Sequence, residues 1–88
     1  MKYKVNIKKK VNKNLLKLPK EVKQMFLLLI EDLKEKGPVQ ETWKNYSKLQ
    51  KNNYHCHLGY RHVACWKKEN KNITIEVYYV GSREKSPY

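Results

Sequence analysis

Residues 54–80 read YHCHLGYRHVACWKKENKNITIEVYYV. The stretch divides into three runs, 54–58, 61–67 and 72–80, each crowded with the aromatic and β-branched residues that suit a pleated, half-buried surface. Gly59-Tyr60 and Lys68-Glu69-Asn70-Lys71 separate the runs, and connections that short make an antiparallel meander. In the first run a period of two sends Tyr54, Cys56 and Leu58 to one face and His55 and His57 to the other. In the second, Arg61, Val63 and Cys65 share one parity and His62, Ala64 and Trp66 share the other. Which of those two faces is core stays open, although core filling suits Trp66 better than a stacking role. Tyr78 and Tyr79 are chain neighbours, so strict alternation puts them on opposite faces and one of them in the core.

Working back from the meander, residues 39–53 are polar and irregular and read mostly as loop, with Trp43 and Tyr46 as anchors. Residues 19–36 place Val22, Met25, Phe26, Leu29 and Leu33 on one helical face, and Gly37-Pro38 stops the helix. Leu27, Leu28 and Ile30 widen that stripe, which means either an exposed apolar patch or a helix buried between a sheet and its neighbour. Val11, Leu15 and Leu18 mark a shorter amphipathic helix ending before Pro19, and residues 2–9 alternate as a strand with Tyr3, Val5 and Ile7 on one side. The expected architecture is α+β with the order β-α-α-β-β-β. Two helices from the N-terminal half pack on one face of an antiparallel sheet, with residues 1–88 as a single domain. The opposite sheet face is then free for function.

Composition narrows the partners. The chain has 88 residues, 40% of them hydrophobic, and a formal net charge of +12. Such a charge holds a small domain to polyanions, so nucleic acid or a ribonucleoprotein leads, against the alternative of a merely solubilising lysine surface. Lys8, Lys9, Lys10, Lys13, Lys17 and Lys20, continued by Lys23, form a basic run suited to RNA phosphates. The longest apolar run, residues 25–30, is far short of the ~20 residues that span a bilayer. The basic start lacks the apolar stretch and cleavage site of a secretory signal, so a cytoplasmic location is expected, with no membrane partner. Cys56 and Cys65 lie nine apart with no CxxC pair, which reads as two reduced buried thiols.

The histidine pair carries the most chemistry. Two imidazoles side by side, with pKa values near neutrality, can divide general-base and general-acid work. They could also begin a metal site, but zinc needs a third and fourth ligand and no acid lies nearby; neither a metal nor a small-molecule cofactor is expected. Only two of the 20 basic residues are arginines, Arg61 and Arg83, each near the end of a strand of the same meander. A guanidinium pairs bidentately with phosphate and stabilises charge on a phosphoryl centre. His55, His57, Arg61, Arg83 and Tyr88 therefore form a candidate set brought together by adjacent strands.

The same residues carry a resemblance. The element order, the small basic chain, the run Tyr54-His55-Cys56-His57-Leu58-Gly59-Tyr60-Arg61-His62-Val63, then Val80-Gly81-Ser82-Arg83-Glu84 and Tyr88, resemble the RelE/ParE superfamily of toxin–antitoxin toxins, and within it the RelE-like mRNA interferases. The likeness covers essentially the whole chain, with Val-Gly-x-Arg-Glu as its most diagnostic piece. It implies the toxin of a type II toxin–antitoxin system: a ribosome-dependent, metal-independent endoribonuclease that cuts mRNA by 2′-hydroxyl attack, inhibits translation and is neutralised by a cognate antitoxin protein. The family's active surface carries over onto His55, His57, Arg61, Arg83 and Tyr88, with histidines here where the best-known members have lysines. Partners implied are the antitoxin, mRNA and ribosomal RNA, and an acidic or amphipathic antitoxin segment could use the lysine run. Two alternatives stand beside this reading: a ParE-like toxin acting on DNA gyrase without a nuclease centre, and a non-catalytic RNA-binding module.

Overall fold

The computed structural model describes residues 2–69 and 73–87. Residues 70–72, within the expected last connection and at the start of the last strand, and the candidate site residue Tyr88 lie outside the described residues. The elements are β1 (Lys4–Ile7), α1 (Lys9–Leu15), α2 (Lys20–Lys36), β2 (Ser47–Gln50), β3 (Asn53–His57), β4 (His62–Lys68), β5 (Thr74–Ser82) and a 3-10 turn at Arg83–Lys85. The strands form one sheet in the order β1-β5-β4-β3-β2. The expected α+β class and the packing of both helices on one sheet face are as observed, since helix and sheet residues share one apolar cluster.

Two details of the sheet differ from the expectation. It is mixed, because β1 pairs parallel with β5 while the other neighbours are antiparallel. The helices on one face form the crossover that a parallel pairing needs. A fifth strand, β2, also lies in the stretch read as loop. Its sequence, Ser47-Lys48-Leu49-Gln50, is largely exposed edge strand with no apolar alternation to announce it.

Helix α2 follows from its punctuation and its stripe. Pro19 is its N-cap, Glu21 sits in its first turn, and Lys34 and Lys36 in its last, the polarity a helix dipole favours. Gly37 closes it at φ +87°, its N–H donating to the Leu33 carbonyl at 2.9 Å. A Cβ on Gly37 would lie 2.6 Å from the Tyr3 ring, so both backbone and space call for glycine there. Val22, Phe26, Leu29, Ile30 and Leu33 are buried, whereas Leu27 and Leu28 are 64% and 62% exposed. Both readings of the wide stripe thus hold in part.

On the sheet side, Tyr54, Cys56, Leu58, Ala64, Trp66, Ile75, Val77 and Val80 complete the core. Trp66 is fully buried and donates its indole N–H to the Pro38 carbonyl at 3.1 Å, which settles the core face of β4. Trp43 anchors the long connection by donating to Asp32 Oδ2 at 2.8 Å, and the Tyr46 ring stacks with Tyr54 and Trp66 at 6.3 and 6.4 Å between centroids.

The β4–β5 register contains an irregularity. Cys65 pairs with Tyr79 but Trp66 pairs with Val77, leaving Tyr78 as an extra residue on β5. This β-bulge overturns the expected alternation of the two tyrosines. Ile75, Val77 and Val80 all belong to the core cluster, and neither Tyr78 nor Tyr79 does. No helix among the described residues is long and apolar enough to cross a membrane.

Candidate active site

The uncovered sheet face is built from alternate residues of the strands that make the core. Across it run two rows fixed by register: His57, Val63 and Gly81, then His55, Cys65 and Tyr79. Tyr79 lies over Gly81, whose added Cβ would be 3.0 Å from the Tyr79 hydroxyl, and that hydroxyl donates to the Ser82 carbonyl at 2.6 Å. The expected pairing of the two imidazoles is present, with ring centroids 5.8 Å apart.

Neither histidine is freely solvated: His55 is 7% and His57 9% exposed. The shielding comes from β2 and the residues leading into it. His55 Nδ1 lies 3.0 Å from Ser47 Oγ, and His57 Nδ1 lies 3.3 Å from Asn45 Nδ2. An amide nitrogen can only donate, so in this arrangement His57 Nδ1 accepts and the ring proton sits on Nε2. Asn45 reaches this position from a left-handed backbone, φ 54°, which asparagine tolerates better than most residues. Sequence reading missed Asn45 and Ser47, because their task exists only once β2 pairs with β3.

Burial is the main cause that holds His57 below the ordinary imidazole pKa, followed by the charges of Arg83 and Lys44. His55 is lowered too, again chiefly by burial and with His57 adding to it, while a hydrogen bond to the Ser47 backbone opposes the shift. Desolvation and neighbouring cations both penalise an imidazolium, so the pair is neutral near pH 7. Both cysteines are the reverse: burial pushes Cys56 and Cys65 up to about 12, leaving inert thiols rather than nucleophiles or ready ligands.

Arg61 and Arg83 come together. The Arg83 N–H donates to the Arg61 carbonyl at 2.8 Å, tying the approach to β4 to the start of the 3-10 turn. Both side chains are exposed, and with Tyr60, His62, Ser82 and Glu84 they line an open groove of about 640 Å³. Lys44, another residue the sequence did not single out, lies 5.9 Å over the Tyr60 ring at the same rim. His62 is half-buried at the groove edge, on the parity of Ala64 and Trp66. The structure thus brings His57, Arg61 and Arg83 into one neighbourhood, with His55 one row behind. Lys8, Lys9, Lys10, Lys13, Lys17 and Lys20 are all exposed, and none of them lines the arginine groove.

Chemically the arrangement offers two neutral imidazoles beside two permanent cations, a set suited to moving a proton and stabilising charge on a phosphoryl group. Among the described residues no three His, Cys, Asp or Glu side chains converge as a metal-ligand set.

No family model and no curated protein matches the sequence. Solved structures do match. RelE in the archaeal RelE–RelB complex from Pyrococcus horikoshii OT3 superimposes with a TM-score of 0.77 at 24% identity, covering 98% of this chain and 100% of that one. The isolated E. coli RelE toxin gives 0.70 at 23% identity over 97% of this chain and 88% of that one. A metal-bound toxin from Helicobacter pylori gives 0.73 at 18% identity over 94% and 97%. The coverage is near-complete in all three comparisons, at TM-scores of 0.70 to 0.77, and the chain has the RelE-like toxin fold.

Proposed function

We propose that the chain is the toxin of a toxin–antitoxin pair and that it cleaves mRNA on the ribosome, using the substrate's own 2′-hydroxyl as nucleophile. The observation that carries this reading is the pair of buried, neutral histidines beside the Arg61–Arg83 groove. In such a reaction the protein supplies a base for the 2′-hydroxyl, charge stabilisation for the pentacoordinate phosphate and in-line positioning. His55 fits the base, its ring held through Nδ1 by Ser47. His57, with Nδ1 engaged by Asn45, fits hydrogen-bond donation from Nε2 to a phosphoryl oxygen. Arg61 and Arg83 stabilise the developing charge. The proton taken from the 2′-hydroxyl matches the one the 5′-oxygen must gain on leaving, so the products are a 2′,3′-cyclic phosphate and a 5′-hydroxyl. Tyr88 keeps its expected part as a stacking or orienting group for the substrate.

The cationic surface supports two partners of this activity: ribosomal RNA along the run Lys8–Lys20, and an antitoxin segment with acidic or amphipathic character. Cytoplasmic action follows from the same reading. The rival readings, a gyrase-directed toxin or a passive RNA binder, give the histidine–arginine set no task. Mapping mRNA 5′ ends after induction, with translating ribosomes present, separates them. New ends with wild type that vanish with the His57→Ala/Arg83→Ala double variant support cleavage, whereas growth arrest without new ends transfers the assignment to a gyrase-directed toxin.

A further inference from the structure

A second cleft lies on the same sheet face, beyond the His55–Cys65–Tyr79 row. Lys8, Leu49, Gln50, Asn53, Lys67 and Tyr78 line a cavity of about 310 Å³ there. Asn53 and Lys67 are register partners two residues along from His55 and Cys65, so the cleft begins roughly 7 Å further down the strands. Its most telling feature is Tyr78. Strict alternation would have spaced β5 so that only one of the two tyrosines left the core, yet the bulge brings both off it. A bulge gives up ladder pairing and commonly re-aims a side chain next to a functional site. The Tyr79 hydroxyl is engaged with the Ser82 carbonyl, whereas that of Tyr78 has no hydrogen-bond partner among the described residues. Around this half-buried ring stand two cations, Lys8 and Lys67, the latter 3.4 Å from Glu76, and two carboxamides, Asn53 and Gln50.

We propose that this cleft is a nucleotide subsite, taking the RNA residue that flanks the reacting phosphate, with its base on Tyr78, its edge against Asn53 and Gln50, and its phosphate against Lys8. The chemistry is that of single-strand binding: an aromatic face accepts any base, lysines follow the backbone, and carboxamides can tell one base edge from another. The inference rests on the nuclease reading for its orientation along the sheet, but the cleft binds on its own residues.

The test is titration of the ¹⁵N-labelled full chain with RNA tetranucleotides carrying 2′-O-methyl riboses, which lack the nucleophile and so report binding alone. We expect resonances of Asn53, Lys67 and Tyr78 to shift. We expect Tyr78→Ala to weaken binding roughly 5- to 150-fold, the range of one lost base stack, and Tyr78→Phe to retain it. Asn53→Ala should change the ranking of A, C, G and U tetranucleotides with less effect on overall affinity. Shifts confined to the Arg61–Arg83 groove, or a folded Tyr78→Ala that binds like wild type, overturn the subsite. Binding in the cleft by a wild type that cuts no mRNA on ribosomes would overturn the nuclease reading and leave the subsite standing.

Discussion

On the helix-covered face of β3 and β4 stand Tyr54, Cys56, Leu58, Ala64 and Trp66, and on the open face of the same strands stand His55, His57, Val63 and Cys65. Both sets are buried, but by different means. The first set is covered by apolar side chains of α1 and α2, and the Trp66 indole N–H within it donates to the Pro38 carbonyl. In the second, the imidazoles are shielded by polar side chains of the edge strand β2 and the residues leading into it, Ser47 and Asn45, which meet them directly. One face converts burial into stability. The other uses burial to keep two imidazoles neutral within a strongly cationic surface.

The difference can be broken from either side. Trp66→Ala removes the largest fully buried side chain and should cost about 3–5 kcal/mol, measured by denaturant unfolding; a cost below about 1 kcal/mol would mean the core lies elsewhere. Arg83→Ala, at an exposed site, should leave unfolding within about 0.5 kcal/mol of wild type while slowing mRNA cleavage by about 10²- to 10³-fold in a ribosome-coupled assay. Gly37→Ala should destabilise by more than about 1 kcal/mol without altering the cleavage pattern, because it strains a positive φ and meets Tyr3.

Protonation sharpens the contrast further. The imidazoles of His55 and His57 are held below 6.5 in the folded chain and return to about 6.5 on unfolding, so the unfolded state binds more protons as the pH falls. Stability from this source is therefore complete above about pH 6.5 and declines as the pH drops through the folded values, which calorimetry between pH 5 and pH 8 would register. Arg83→Ala should raise the His57 pKa in an NMR titration, since a cation has gone; an unchanged value would place the two groups too far apart to share a site. The smallest effect belongs to Leu27→Gln and Leu28→Gln, within about 0.5 kcal/mol in thermal unfolding, as both side chains already face water.

Much of this division was legible in residues 54–58, where five letters alternate between apolar and imidazole. The face of β4 was not, because either parity mixes polar and apolar residues; the reach of Trp66 to Pro38 decides it in three dimensions. Strand β2 was hidden by its polarity, and its one local mark was Asn52, left-handed at φ 75° in the turn before β3. With β2 unseen, Asn45 and Ser47 could not be connected to the histidines. The bulge at Tyr78 left no mark beyond two adjacent tyrosines. Arg61 and Arg83, in contrast, stood out by scarcity, and the backbone hydrogen bond between them brings them to one groove.

The most direct test of the central claim is a purified translation reaction with one defined mRNA, comparing wild type with His57→Ala/Arg83→Ala at equal folded concentration and analysing the RNA termini. We expect wild type to produce 5′-hydroxyl and 2′,3′-cyclic phosphate ends within the ribosome-bound codons and the variant to produce none. Equal cleavage by both proteins, or ends bearing a 5′-phosphate, would contradict the assignment of the open sheet face as the reacting surface.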